Sequence, residues 1–371
     1  MQAPDVAALT QQVLWAAFGL ALIFGAIAQK THFCIMGAVS DVVNMGDWTR
    51  MRQWGLAIGI AMIGFAALVY LGRVDASKTL YFSTRWLWLS AAAGGLLFGL
   101  GMVLASGCGS KSLVRLGGGS LKALVVLLTM GVAGFATLKG ITAVARVASV
   151  DRIAVDMPGG TGLPQLIASM TGLSVSALGL ALGLGIGGSL AAWSLLGRDF
   201  RRPDNLIAGL GLGAVVVAMW WVSGSLGYVS EHPESLEEAF LGTNSGRAEA
   251  MSFVAPVSYA LDWLMFFSDK SKVLTVGIVS VVGVIAGSAL SAALSKNFRW
   301  EGFATTEDLA NHLMGGLLMG VGGVTAMGCT VGQGLSAIST LSLASFVSVP
   351  AIVGGAVLGF KYQIWRLERQ A

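Results

Sequence analysis

Three cysteines, Cys34, Cys108 and Cys329, are the side chains of this sequence best suited to chemistry, and each has glycine beside it or three residues on. Glycine lets a backbone turn sharply or come close to a ligand, and a short helix that begins after such a turn offers free N–H groups to an anion. A protonated thiol is a weak, polarizable hydrogen-bond donor. The three positions therefore predict contacts for a soft, sulfur-containing anion. The alternative is that each cysteine is an ordinary small buried residue.

The surroundings of two cysteines are duplicated, which favours a function for the thiols. Residues 94–108 and 315–329 align without a gap at an offset of 221, and ten of the fifteen pairs are identical. Both copies close a long apolar segment with Gly-Cys. An ordinary buried cysteine has no need to recur at the same place in both copies, so the sequence predicts an internal repeat with an equivalent thiol in each half.

Residues around the thiols supply the other expected contacts. Lys111 follows Cys108 and either attracts an anion or anchors the chain on the cytoplasmic side. Thr330 and Gln333 follow Cys329 and either donate hydrogen bonds to a ligand or satisfy a broken helix. The glycines expected to shape the turns are Gly37, Gly107, Gly109, Gly328 and Gly332.

Motifs for other chemistries are missing from the sequence. No CxxC, HExxH, Walker or GxSxG sequence is present, and the three histidines are scattered. His32 and Cys34 form one His-x-Cys pair that could bind a soft metal, but a single pair without a second cluster is weak support for a metal site. We therefore expect no enzyme, no metal and no cofactor.

The composition requires a membrane environment. Hydrophobic residues make up 55% of the chain and charged residues 11%, less than half of the roughly 25% typical of soluble domains. Apolar runs of about 20 residues, enough to cross a bilayer, recur along the sequence. The prediction is an all-α polytopic protein with about nine spans, at residues 13–30, 53–72, 86–106, 121–140, 173–197, 205–227, 272–294, 307–327 and 340–361.

The distribution of basic residues predicts the topology. With the C-terminal tail and the 198–204 loop inside, 14 of the 23 Lys and Arg lie on the cytoplasmic side. The two repeat copies then cross in opposite directions, as in transporters built from inverted repeats. We expect two halves, 1–171 and 172–371. Short re-entrant elements are expected at 31–44, 107–120 and 328–339, and outside segments at 141–172 and 228–271.

The segments GLLFGLGMVLASGCG and GLLMGVGGVTAMGCTVGQG, with HFCIMGA, resemble the YeeE/YedE family of bacterial sulfur-compound transporters. The resemblance implies an hourglass-like inverted repeat in the bacterial inner membrane that takes up thiosulfate. It also implies that Cys34, Cys108 and Cys329 pass the anion along by weak S–H hydrogen bonds. Some relatives are associated with selenium, and some work beside a small cytosolic sulfur-carrier protein.

The sequence thus predicts a multi-pass transporter or facilitator that brings thiosulfate, or a related anion, into the cytoplasm. Its expected partners are that anion and the lipid bilayer, with a sulfur-carrier protein as a further one, and no nucleic acid. Two alternatives stay open. One is a membrane sulfurtransferase whose cysteine thiolate is activated by a cation such as Lys111. The other is a carrier of a different soft species, a selenium compound or Cu(I).

Overall fold

A computed structural model describes residues 6–370, and most of them are helical. Antiparallel pairs of two-residue strands, β1 (Arg85–Trp86) with β2 (Val155–Asp156) and β3 (Tyr228–Val229) with β4 (Ala239–Phe240), are the only sheets in this part of the chain. The helices are α1 (Val6–Lys30), α2 (Ile35–Met45), α3 (Thr49–Tyr70), α4 (Trp88–Leu104), α5 (Gly109–Gly117), α6 (Leu121–Lys139), α7 (Ile141–Ala148), α8 (Leu163–Thr171), α9 (Val175–Leu195), α10 (Pro203–Leu206), α11 (Leu212–Trp221), α12 (Val254–Met265), α13 (Val276–Leu294), α14 (Thr306–Thr325) and α15 (Leu343–Gln370).

Eight helical stretches in the described residues are long and apolar enough to cross a membrane, so the chain is an all-α multi-pass membrane protein. The sequence predicted about nine spans. The predicted span at 307–327 corresponds to α14, which is not among the eight. The first turn of α14 carries Glu307 and Asp308. The eight stretches are Val6–Met45, Thr49–Tyr70, Trp88–Gly117, Leu121–Lys139, Val175–Leu195, Pro203–Leu226, Val276–Leu294 and Leu343–Arg369.

Three of these stretches contain more than one helix, and in Pro203–Leu226 the helices α10 and α11 follow one another without a turn between them. Val6–Met45 joins α1 to the shorter α2, and Trp88–Gly117 joins α4 to the shorter α5, each across a turn that holds a cysteine. After Cys329 a third short helical segment contains a π-helical part, Gly332–Ala337. The sequence predicted short elements at these three places. It also predicted outside segments at 141–172 and 228–271, and these contain α7, α8 and α12.

Glycines show how the two repeat copies pack. A Cβ on Gly94 would lie 2.6 Å from the Gly322 carbonyl oxygen, and a Cβ on Gly315 would lie 2.6 Å from the Gly101 carbonyl oxygen. Residue numbers therefore rise along α4 as they fall along α14, so the two helices are antiparallel. In the sequence alignment Gly94 matches Gly315 and Gly101 matches Gly322, so the two contacts exchange under a two-fold rotation.

The helices that flank this pair repeat the same relationship. Gly95 of α4 packs against α15, where its Cβ would meet the Ser348 carbonyl oxygen at 2.8 Å. Its counterpart Gly316 of α14 packs against α6, where its Cβ would meet the Val126 carbonyl oxygen at 3.0 Å. Because α6 and α15 follow equivalent turns, four helices form a pseudo-symmetric core with the cysteine turns at its centre.

Large apolar side chains are exposed on the outer faces of the spanning helices. At least half of the surface is exposed for Trp15 on α1, Val132 on α6, Leu184 on α9 and Val282 on α13. In water such surfaces would be unfavourable, whereas lipid tails solvate them without cost. The exposed apolar faces therefore mark the surface that contacts the bilayer.

Candidate functional site

The three cysteines follow the same backbone turn. Two residues before each cysteine, a residue other than glycine adopts the left-handed conformation: His32 (φ 53°), Ser106 (φ 55°) and Met327 (φ 57°). The next N–H closes the preceding helix by donating to a carbonyl five residues back: Phe33 N to Ala28 O (3.2 Å), Gly107 N to Met102 O (2.8 Å) and Gly328 N to Gly323 O (2.8 Å). Each left-handed residue other than glycine costs about 1–3 kcal/mol, so the same strain is kept at three places.

The turn before Cys108 does not depend on a left-handed glycine. Gly107 and Gly109 do not have a positive φ; the left-handed residue of that turn is Ser106. The glycines instead permit close packing. A Cβ on Gly107 would lie 3.3 Å from Lys111 Cγ, and one on Gly109 would lie 3.3 Å from Met130 Sδ.

The other predicted glycines also sit where a side chain would collide. A Cβ on Gly37 would lie 2.5 Å from an Arg50 guanidinium nitrogen, and one on Gly332 would lie 2.7 Å from Ser252 Oγ. A Cβ on Gly328 would lie 3.2 Å from Gln333. Close approach of neighbouring groups to the cysteine turns is thus the property that these positions share.

Two of the thiols cap the helices that follow them. The Gly37 N–H donates to Cys34 Sγ at 3.5 Å, and the Gly332 N–H donates to Cys329 Sγ at 3.4 Å. A cap of this kind satisfies an N–H that has no partner within the helix. Since each sulfur acts as an acceptor toward its own helix, its S–H proton stays free to be donated elsewhere.

Cys108 Sγ does not cap the helix that follows it, and Cys108 is a neighbour of both other cysteines. Its Sγ lies 3.2 Å from Ser110 Oγ, and either atom can donate. The Cys34 and Cys108 side chains are neighbours, and Cys329 lies within electrostatic range of Cys108. Cys34 is 6% exposed and the other two thiols are fully buried. The structure therefore brings the three predicted residues together in the protein interior.

Polar atoms without partners surround the thiols. Thr330 Oγ1 is buried beside Cys108 without a well-formed hydrogen bond. Gln333 Nε2 donates to the Ala326 carbonyl at 2.6 Å, but its Oε1 is buried and unsatisfied. Trp54 Nε1 is also buried without a partner, and its ring stacks on Phe33 at 4.5 Å. Buried groups of this kind cost about 1–3 kcal/mol each, which a polar ligand would offset.

One end of the thiol row opens toward a polar cavity of about 520 Å³, which we call the Lys111 vestibule. Lys111 is an electrostatic neighbour of both Cys34 and Cys108. The side chains that give the cavity its character are Gln29, His32, Lys111, Arg115, Arg299 and Glu301. The positive-inside rule predicts that this cavity faces the cytoplasm.

A second cavity of about 250 Å³, the Glu249 vestibule, reaches Gly328 next to Cys329. Burial raises the pKa of the Glu249 carboxyl, whose Oε1 accepts the Ser245 N–H at 2.8 Å. Tyr81 is buried nearby, and its hydroxyl would lie 3.4 Å from a Cβ on Gly332. The two cavities thus approach the thiol row from different ends.

Sequence reasoning missed several residues of this region. The left-handed residues Ser106 and Met327 carry a signal in the alignment, since each stands two positions before its cysteine. Tyr81 and Trp54 come from segments remote in sequence and carry no such signal.

Within residues 6–370, no three His, Cys, Asp or Glu side chains are arranged as metal ligands would be.

A family model described as Sulphur transport matches residues 30–358, a range that includes all three cysteines. The chain belongs to this sulphur transport family. Two curated proteins are similar to it over most of their length. The thiosulfate transporter TsuA of Escherichia coli (strain K12) is 25% identical over 322 residues, 84% of each chain. The thiosulfate transporter TsuA of Spirochaeta thermophila is 25% identical over 346 residues, 91% of this chain and 94% of the relative.

Membership of the sulphur transport family assigns the chain a role in sulfur transport. The names of the family and of both relatives describe transporters rather than enzymes. Together with the eight spans, they describe a multi-pass membrane protein that moves a sulfur compound.

Proposed function

We propose that this protein carries thiosulfate, or a closely related sulfur anion, across the bacterial inner membrane into the cytoplasm. The anion would pass Cys329, Cys108 and Cys34 in that order and leave through the Lys111 vestibule. The observation that carries this proposal is the row of three buried thiols, each presented by the same strained turn.

Neutral thiols suit the passage of a dianion because each contact is weak. A conducting path must bind well enough to admit the ion and poorly enough to release it. The S–H group donates a weak hydrogen bond, whereas a thiolate would repel a negative charge. The Thr330 hydroxyl, buried beside Cys108 without a well-formed hydrogen bond, adds a further weak donor. No single group then holds the anion too tightly.

Uptake of labelled thiosulfate into proteoliposomes tests the proposal. Cys108→Ala and Cys329→Ala should each reduce uptake by at least roughly tenfold, a change equivalent to about 1.4 kcal/mol. Gly185→Ala, at an exposed position where a Cβ meets nothing within 4 Å, is the control. Normal uptake by both cysteine variants, with correct insertion, would rule out the thiol row.

One observation favours a second function, a membrane sulfurtransferase. Lys111 lies near Cys34 and Cys108 and could stabilise a thiolate. The thiolate would attack the sulfane sulfur, the S–S bond would break, and sulfite would leave with the electron pair, giving a cysteine persulfide. Thiosulfate labelled separately on each sulfur distinguishes the two functions. Transport delivers both labels equally to the lumen, whereas transfer retains the sulfane label on the protein and frees sulfite.

The cargo and the cytosolic partner belong to the same proposal. Selenium analogues and Cu(I) should compete poorly with labelled thiosulfate if the path selects sulfur oxyanions. A small sulfur-carrier protein, if it receives the anion, would bind beside the Lys111 vestibule. Addition of such a carrier to the lumen should then speed uptake without changing the affinity for thiosulfate.

A further inference from the structure

The Lys111 vestibule has more positive than negative charge on its walls. Lys111, Arg115 and Arg299 line it, and Glu301 is the single carboxylate among its lining residues. Lys111 is largely enclosed and has Arg50 and Arg115 as further cationic neighbours, which repel it. An uncompensated cluster of cations in a partly desolvated cavity favours a bound anion.

Ion pairs within the described residues do not neutralise this excess. Glu301 lies 3.1 Å from Arg115 and 3.5 Å from Lys122, so its charge is shared between two cations. Asp308 lies 2.8 Å from Lys122, outside the lining of the cavity. No carboxylate within residues 6–370 pairs with Lys111 or Arg299.

Lys111 and Arg115 occur in only one of the two repeat copies. At the offset of 221, Lys111 aligns with Gly332 and Arg115 aligns with Ser336, so the second copy has no charge at either place. The Glu249 vestibule at the other end contains Arg146, but that guanidinium lies 3.1 Å from Asp151. The backbone needs no cation at these positions to form the turn, so the charge points to a ligand.

We propose that the Lys111 vestibule is a second anion site, distinct from the thiols, which binds small divalent oxyanions by charge. It accepts sulfate as well as thiosulfate, because two cations and backbone or side-chain donors recognise the oxyanion and not the sulfane sulfur. The inference deepens the proposed function, on which it rests for the direction of flow. Thiols select the anion, and the vestibule collects it after the last thiol.

This division of roles has a consequence for transport. Sulfate occupies the vestibule but does not pass the thiol row. Sulfate on the Lys111 side therefore competes with thiosulfate leaving the path and slows net movement. Sulfate on the Glu249 side has no such site and leaves transport unchanged at the same concentration.

Equilibrium binding of labelled sulfate to the purified full chain tests the site. Wild-type protein should bind sulfate with an affinity that falls as salt rises. Lys111→Gln combined with Arg299→Gln should weaken binding by at least roughly tenfold, equivalent to about 1.4 kcal/mol. The variant Lys111→Arg, which keeps the positive charge, should retain most of the sulfate binding. Arg202→Gln removes an exposed cation on the same side, outside the cavity lining, and should leave binding unchanged.

Unchanged sulfate binding in the double variant, or an equal loss in Arg202→Gln, would overturn the inference. A thermal unfolding scan in detergent confirms that each variant is folded before binding is measured. Sulfate binding needs no thiosulfate transport, so the two proposals fail separately. If the cysteine variants lose uptake but bind sulfate normally, both proposals are supported. If the wild-type chain binds sulfate but does not transport thiosulfate, only the proposed function is refuted.

Discussion

At the scale of single residues, each cysteine has two roles that chemistry can separate. Cys329 caps the helical segment after it through the Gly332 N–H and offers its S–H to the interior. Serine caps helices better than cysteine, but its hydroxyl is more strongly hydrated. A serine at this place would therefore preserve the structure and change the interaction with a passing anion.

We expect Cys329→Ser to keep the thermal unfolding midpoint at or above that of wild type, while thiosulfate uptake falls. Cys329→Ala should lower both the unfolding midpoint and the uptake. The lost helix cap should reduce the free energy of unfolding by an amount near the lower limit of about 0.5–2 kcal/mol. Unfolding scans in detergent and uptake into proteoliposomes measure the two effects. Equal uptake by wild type and Cys329→Ser would show that any small donor suffices.

Thr330 provides a second test, because its buried hydroxyl lacks a well-formed hydrogen bond. Thr330→Val replaces the hydroxyl with a methyl group of similar size. Removal of an unsatisfied group should raise the free energy of unfolding by about 1–3 kcal/mol and reduce uptake. Ser336→Ala is a comparison, since the Ser336 hydroxyl donates to the Met251 carbonyl at 2.6 Å, and its loss should be destabilising. A less stable Thr330→Val protein with normal uptake would make the hydroxyl structural.

The sequence was sufficient to find the thiols, Lys111, Thr330 and Gln333, because each lies within five residues of a cysteine. It could not supply Trp54 or Tyr81, which reach the same region through tertiary packing of remote segments. It offered glycine either for the turns or for close approach and did not identify Ser106 and Met327, which take the left-handed conformation. A turn of this kind is set by the helix end as a whole, and the residue type only modifies its cost.

At the scale of helices, glycine contacts decide how closely α4 and α14 approach. A Cβ on Gly322 would lie 2.5 Å from the Phe98 nitrogen and 2.7 Å from the Gly94 carbonyl oxygen. Neither atom can move without shifting the helix, and the cysteine turns lie directly after both helices. Packing here therefore determines where Cys108 and Cys329 stand relative to one another.

Gly322→Ala should destabilise the protein by about 1–3 kcal/mol, the usual cost of overpacking, and should reduce uptake. Gly185→Ala in the middle of α9 is the matched control, since a Cβ there meets nothing within 4 Å. It should stabilise the helix by about 0.5–1 kcal/mol. Thermal unfolding midpoints and size-exclusion profiles of the two variants are compared. A stable, active Gly322→Ala protein would mean that the two helices are not held at this distance.

The helix-scale prediction from sequence succeeded where repetition carried information. Ten identical residues in fifteen predicted an internal duplication, and the exchange of the Gly94–Gly322 and Gly101–Gly315 contacts agrees with opposed copies. The eight candidate spans agree with the predicted number of about nine, and the difference is α14, which has the length of a span but a polar first turn. It packs between α4 and α6, which covers much of its surface with protein.

At the scale of the whole molecule, the two vestibules differ in charge, and the proposed direction of transport rests on that difference. The Lys111 vestibule carries excess positive charge, and the Glu249 vestibule has a carboxyl whose pKa is raised by burial. The division into halves 1–171 and 172–371 and the hourglass outline stay predictions. The orientation in the membrane rests on the positive-inside rule, which places the Lys111 vestibule in the cytoplasm.

Cysteine labelling of intact cells tests this orientation. The three native thiols are buried, so a membrane-impermeant maleimide should react slowly with them. Ser235→Cys and Ser295→Cys are matched substitutions at exposed loop positions on opposite sides, one before β4 and one directly after α13. Ser235→Cys should be labelled in intact cells, and Ser295→Cys only after the membrane is permeabilised. The reverse pattern would invert the topology, place the Lys111 vestibule outside, and make its cations an entrance for the anion instead of an exit.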